Sequence, residues 1–375
     1  MAAHPLLARI GIDLPIFQAP MAGTSTPAMA AAVSNAGALG AIGVAAETVE
    51  GAGKTIRATQ ALTNRAFNVN VFCHRPATAN AVAEAAWIER FRPEFAALGA
   101  EPPQALREIY QTFRGDDAMT ALLLETRPAI VSFHFGLPEE SQIRALKQAG
   151  IILFGSATSL TEAQALANAG LDAIVAQGYE AGGHRGAFDE NAPDDRLGTF
   201  ALVHLLSRRV NLPVIAAGGI MDGAGISAAL KLGAAAAQLG TAFVSCPESS
   251  ADPGYRAALA SDAANHTMMT RVISGRPARC LANRFTGLAE TIPDSDVPSY
   301  PITYDLGKAL HAAGKAKGEF GFGAQWARPG CAAVTADAGG GTGQAAHAGT
   351  GGGLDHLSFP AERSASFARG RESRC

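Results

Sequence analysis

The sequence predicts an α/β protein whose single large unit is a closed (β/α)₈ barrel, the TIM-barrel class, on three observations. Short continuous apolar runs alternate with helical patterns, as parallel strands buried on both faces do. About eight such units fit within roughly 250 residues, the size of one barrel. The first strand runs into Ala19-Pro20-Met21-Ala22-Gly23, where an open doubly wound sheet would carry a GxGxxG turn.

The elements follow in order. Pro15 to Met21 is the first strand, and Ser25-Thr26-Pro27 then supplies an N-cap and a proline at the first helical position. The helix Ala28 to Ala36 follows, with Gly37 as its left-handed stop. Leu39 to Val44, Phe67 to Phe72 and Ala129 to Phe135 are the second to fourth strands. Ile151 to Ser156 is the fifth, and Ser159-Leu160-Thr161-Glu162 opens a helix with a capping-box pattern that Gly170 closes. Ala173 to Gln177 and Val214 to Ala217 come next; Asp222 caps a helix to Leu232, and Ala235 to Phe243 completes the series.

Two regions fall outside the repeat. Residues 74–127 form an insertion with helical stretches at Ala79 to Phe91 and Pro103 to Phe113, placed where lids over barrel sites arise. Residues 247–327 continue the chain beyond the barrel (1–246) with helical character. From Arg328 the composition shifts to Gly, Ala and Arg with no apolar periodicity, so residues 328–375 are expected to be a disordered tail.

Composition narrows the function. Of 375 residues, 48% are hydrophobic and 17% charged, with a net charge of −3, giving no electrostatic reason to expect nucleic acid or an anionic membrane. The five cysteines show no zinc-type spacing and read as free thiols. No signal peptide or membrane span is expected, so the expectation is a cytoplasmic protein, monomer or homodimer.

Chemistry in a barrel sits at the strand C-termini. The seventh strand ends in Gly218-Gly219 and the eighth contains Gln238-Leu239-Gly240-Thr241, where glycine backbone and a hydroxyl suit a phosphate. Asn68 and Asn70 alternate onto one side of the third strand, towards the mouth. The sixth strand leads into Gln177-Gly178-Tyr179-Glu180-Ala181-Gly182-Gly183-His184-Arg185-Gly186. Glycines there press backbone against a flat ligand and present the imidazole of His184, which can donate or take a proton. His134 ends the fourth strand and faces the same mouth.

These segments, with Ser132-Phe133-His134-Phe135-Gly136 and Ala216 to Gly223, resemble class I nitronate monooxygenases, formerly 2-nitropropane dioxygenases, over roughly residues 10 to 326. The resemblance implies an FMN enzyme that oxidises alkyl nitronates with O₂ to a carbonyl compound and nitrite through a flavin semiquinone, needing no metal. It implies FMN contacts at Met21, Asn70, Gln177, Gly182, Gly219, Gln238, Leu239, Gly240 and Thr241. His184 matches the active-site histidine and His134 another pocket position. Members acting on propionate 3-nitronate carry a tyrosine and lysine cluster, and Tyr110, Tyr300, Tyr304 and Lys308 are the candidates here. Helical spacing would set the last three near one face, with Pro301 in the first turn. The alternative on the same fold is an FMN-dependent NAD(P)H enoyl-thioester or quinone reductase. The family continues past Gly323 to Ala327 with a helix-forming C-terminus; the altered composition here raises an altered reading frame, testable by translating the other frames.

Overall fold

The computed structural model describes residues 4–330. Eight parallel strands make the barrel: β1 (Ile16–Gln18), β2 (Gly40–Gly43), β3 (Phe67–Phe72), β4 (Ile130–His134), β5 (Ile152–Ala157), β6 (Ala173–Gln177), β7 (Val214–Ala217) and β8 (Ala236–Leu239). They pair in chain order from β2 to β8, β8 pairs back to β1, and a parallel bridge from Phe17 to Leu39 closes the ring.

Local chemistry sets the helix ends. The Thr26 hydroxyl accepts from the Met29 N–H ahead of helix Pro27–Asn35, and Asp222 accepts from Gly225 ahead of Gly223–Lys231. Ser159 caps Leu160–Asn168, but Glu162 does not return the bond to Ser159. Its carboxylate accepts from Thr158 and, 2.8 Å away, from the Phe188 N–H, tying this helix to the loop after β6.

One apolar layer lies between strands and outer helices, and a second fills the barrel interior. In the second, Phe17 and Phe154 stack at 6.0 Å, and Leu6, Leu7 and Ile10 of helix Pro5–Ile10 plug the end away from the site. Full burial of each such side chain contributes about 1.5–3 kcal/mol.

The insertion differs from its expectation. Its first helix runs Ala81–Ala97, and Pro103 to Phe113 is not helical. The Phe113 N–H donates to Phe72 O at 2.7 Å and the Thr112 hydroxyl to His74 O, so this stretch follows the end of β3 and spends its bonds there. A further helix, Asp117–Thr126, is capped by Asp116. Trp87, Phe91 and Phe95 of the first helix pack on Phe285, Leu306, Leu310 and Phe322, joining insertion and C-terminal segment in one layer.

Two other boundaries move. The eighth strand stops at Leu239, and Thr241–Val244 forms a short helix. A three-stranded antiparallel sheet, absent from the sequence reading, joins Thr267–Thr270, Ala278–Leu281 and Gly183–His184. Arg328, assigned by composition to the tail, is packed: its N–H donates to Thr241 Oγ1 at 3.2 Å. The rest of the expected tail, and the reading-frame question with it, lies outside the described residues. Among those described, no helix is long and apolar enough to cross a membrane.

Candidate active site

A cavity of about 650 Å³ opens at the C-terminal ends of the strands. Met21, Asn70, His134, Gln177, Gly182, His184, Gly219, Gln238, Gly240 and Thr241 all border it, and so do Tyr110, Tyr300, Tyr304 and Lys308. Leu239 is the exception. Alternation along β8 turns its side chain into the core, 3% exposed, and its carbonyl accepts from the Ala19 N–H. Asn68 is also buried, below Asn70; both amides donate to Ser132 Oγ at 2.9 Å, but only Asn70 reaches the cavity.

His184 lies seven residues beyond the end of β6, not on it. Its own short strand is held by pairing with Ala278. Gln177 fixes the loop from the barrel side: Nε2 donates to His184 O at 2.9 Å and Oε1 accepts from the Gly186 N–H at 2.7 Å. Buried Arg185 adds an ion pair to Asp194 and a 2.6 Å bond to Gln177 O. The His184 ring bonds Ser274 Oγ through Nε2 at 2.9 Å, and His134 Nδ1 meets Ser156 Oγ at 2.8 Å.

Aromatic rings wall this end. Tyr300, Tyr304 and Trp326 centre 5.6, 6.0 and 5.0 Å from the His184 ring. Lys308 Nζ sits 4.9 Å from the Tyr110 ring centre and 5.6 Å from that of Tyr304. Tyr304 and Lys308 share helix Ile302–Ala316, one turn apart; Tyr300 precedes it, with Pro301 at the N-cap rather than inside the first turn. Among the described residues the Tyr300 hydroxyl has no hydrogen-bond partner.

Charge states follow from burial. Removal from water pushes His184 down to about 3, helped by His134 and Arg276, and pushes His134 down to about 4, helped by Arg276. Both imidazoles are neutral near pH 7 and offer one N–H and one lone pair each. Burial raises all three tyrosines, Tyr304 to about 12, so they remain donors; it also lowers the Lys308 ammonium. Arg276 is a component the sequence reading missed. It is 1% exposed, its guanidinium lies 4.2 Å from the Phe135 ring centre, and Glu190 pairs with it at 3.0 Å. Nothing local marks Arg276 or Ser274 in the sequence; a long-range fold brings them to His184.

The glycine side of the cavity tests whether a flavin phosphate and ring would fit. Gly218 and Gly219 have φ of 118° and 72°, a region open to glycine. At Gly240 φ is −111°, and an added Cβ would meet only Ala19 Cβ at 3.5 Å and Met21 Sδ at 3.8 Å. Neither backbone nor packing requires glycine there, so room over the cavity floor is the remaining reason. The pairing of Ala217 with Gln238 sets the two glycine loops side by side. These residues fit such a group.

The family model described as nitronate monooxygenase matches residues 4–338. The chain belongs to the nitronate monooxygenase family. It is an enzyme, an oxidoreductase of that family. It is 62% identical over 322 residues to a nitronate monooxygenase of Paraburkholderia phytofirmans, covering 86% of this chain and 88% of that protein. It is 53% identical over 325 residues to one from Pseudomonas aeruginosa, covering 86% and 92%. Among solved structures, a nitroalkane oxidase from Streptomyces ansochromogenes superposes with TM-score 0.79 at 38% identity, covering 88% of this chain and 92% of that one. FabK from Thermotoga maritima gives 0.66 at 28% identity, covering 88% and 90%.

Proposed function

We propose that this enzyme oxidises alkyl nitronates with O₂ to a carbonyl compound and nitrite, using FMN, with propionate 3-nitronate as the preferred substrate. The observation carrying this reading is the sharing of one cavity by the glycine loops after β7 and β8, His184, and the group of Tyr110, Tyr300, Tyr304 and Lys308. Asn70, Gln177, Gly182, Gly219, Gln238, Gly240 and Thr241 would hold FMN. Bound FMN would supply the one-electron acceptor that the nitronate and O₂ need between them.

The chain's own residues bind and orient. A propionate 3-nitronate carries two anionic ends, a carboxylate and a nitronate. Lys308 and the protonated phenols suit the first, because charge-assisted donors recognise carboxylates in a water-poor site. The free Tyr300 hydroxyl and the His184 imidazole suit the second. The wall of Phe135, Tyr300, Tyr304 and Trp326 keeps water from the His184 side.

The test is aerobic turnover of propionate 3-nitronate and ethyl nitronate by the FMN-loaded protein, following nitrite. Stoichiometric nitrite with faster turnover of the carboxylate-bearing substrate supports the reading. No nitrite, with rapid anaerobic bleaching of the flavin by NADPH, would replace it with the reductase.

A further inference from the structure

We infer that Ser274 is a positioning residue that sets which ring nitrogen of His184 carries the proton. Ser274 lies in the turn between Thr267–Thr270 and Ala278–Leu281 and is fully buried. Its Oγ is 2.9 Å from His184 Nε2 and 3.2 Å from the Arg276 carbonyl oxygen.

A hydroxyl has one proton and two lone pairs, and a carbonyl can only accept. When the Ser274 O–H donates to Arg276 O, its oxygen must accept from His184 Nε2–H. The Nδ1 lone pair is then left without a protein partner among the described residues, on a ring that borders the cavity. Rotation of the hydroxyl towards Nε2 reverses the assignment and puts the proton on Nδ1. The resting arrangement, with the carbonyl satisfied, is the Nε2–H tautomer. The side chains of Phe135, Tyr300, Tyr304 and Trp326 meet the His184 ring by ring contacts, and among the described residues none hydrogen-bonds Nδ1.

The consequence bears on substrate choice, and this part rests on the reading above. With Nδ1 bare, His184 can take the α-proton of a neutral nitroalkane: the C–H bond breaks, its electron pair enters the nitronate, and Nδ1–H forms. With the hydroxyl rotated, Nδ1–H can donate to a nitronate oxygen instead. Removing the hydroxyl leaves Nε2 with no partner. An unpaired buried N–H is the less tolerable of the two states, so the ring should move to the Nδ1–H tautomer.

The experiment has two parts. Long-range ¹H–¹⁵N spectra of the ¹⁵N-histidine-labelled protein, with His184→Asn for assignment, identify the tautomer directly. Wild type should show Nε2–H, and Ser274→Ala should show Nδ1–H. Kinetically, Ser274→Ala should lose about tenfold or more in kcat/KM with neutral nitroethane, and only about twofold to threefold with ethyl nitronate. Nδ1–H in the wild type, an unchanged tautomer in the variant, or equal losses on both substrates would overturn the assignment. The wild-type spectrum decides the tautomer even should Ser274→Ala fail to fold. If wild type released no nitrite from either substrate, the proposed function would fail while the spectra still judged Ser274.

Discussion

The half of the cavity made by the barrel and the half made by the segments appended to it are built from different material. The barrel half offers backbone and small or amide side chains: Gly218, Gly219, Gly240, Asn70 and Gln177. The appended half offers rings and charge: Tyr110 from the insertion, and Tyr300, Tyr304, Lys308 and Trp326 from the C-terminal segment. His184 sits on the seam, gripped by Gln177 on one side and paired with Ala278 on the other. A barrel can thus keep one bed for a flat ligand while its additions select what lies above it.

The seam should be the most sensitive point. His184→Asn keeps a hydrogen-bonding side chain but loses the titratable ring, and kcat for nitronate oxidation should fall by about 10²–10⁴. On the proposed function FMN should stay bound, because the barrel half is untouched; the flavin spectrum and nitrite release read the two halves separately. Unchanged turnover would move the chemistry off the seam.

Next in size is the acid response of the same seam. His184, His134 and His74 are held at about 3, 4 and 4, each chiefly by burial and each further lowered by Arg276. Folded values below the unfolded value of about 6.5 mean that the unfolded chain binds more protons between them. Their contribution to stability is therefore whole above about pH 6.5 and is lost as pH falls towards 4 and 3. The slope is about 1 kcal/mol per histidine per pH unit. Urea midpoints measured from pH 7 to 4.5 should fall steeply in wild type and less steeply in the double variant His134→Asn/His184→Asn. Parallel curves would show that these rings do not govern the acid limb.

The two halves also differed in how far the sequence disclosed them. Barrel strands, the Thr26 and Asp222 caps and the glycine loops announce themselves within a few residues, because periodicity, capping and turn chemistry are local. Alternation likewise set Asn68 and Asn70 on one side, but depth is not local, and only Asn70 reaches the cavity. The appended half depends on long-range pairing. Residues 103–113 read as helix, yet the stretch is not helical and its end, at Thr112 and Phe113, is bonded to His74 and Phe72. The sheet that carries His184 joins segments nearly a hundred residues apart, and with it Ser274 and Arg276 went unseen. Arg328 was lost for the opposite reason, since the Gly- and Ala-rich composition beyond it masked a residue that borders the cavity.

The smallest effect sharpens the role of the appended half. Lys308 is one turn from Tyr304 on helix Ile302–Ala316, and burial alone lowers its ammonium, so a bound carboxylate would restore part of what desolvation costs. Hydrogen bonds to charged groups contribute about 1.5–3 kcal/mol, or roughly a tenfold to hundredfold change in affinity. Lys308→Met keeps an unbranched apolar stem while removing the ammonium, and with it the contact of Nζ with the Tyr110 and Tyr304 rings. KM for propionate 3-nitronate should rise about tenfold or more, with kcat and the constants for ethyl nitronate changed by no more than about twofold. That pattern would assign selectivity to the appended half and leave chemistry at the seam. An equal rise for both nitronates would mean that Lys308 meets the reacting group itself, and that the division between the halves runs elsewhere.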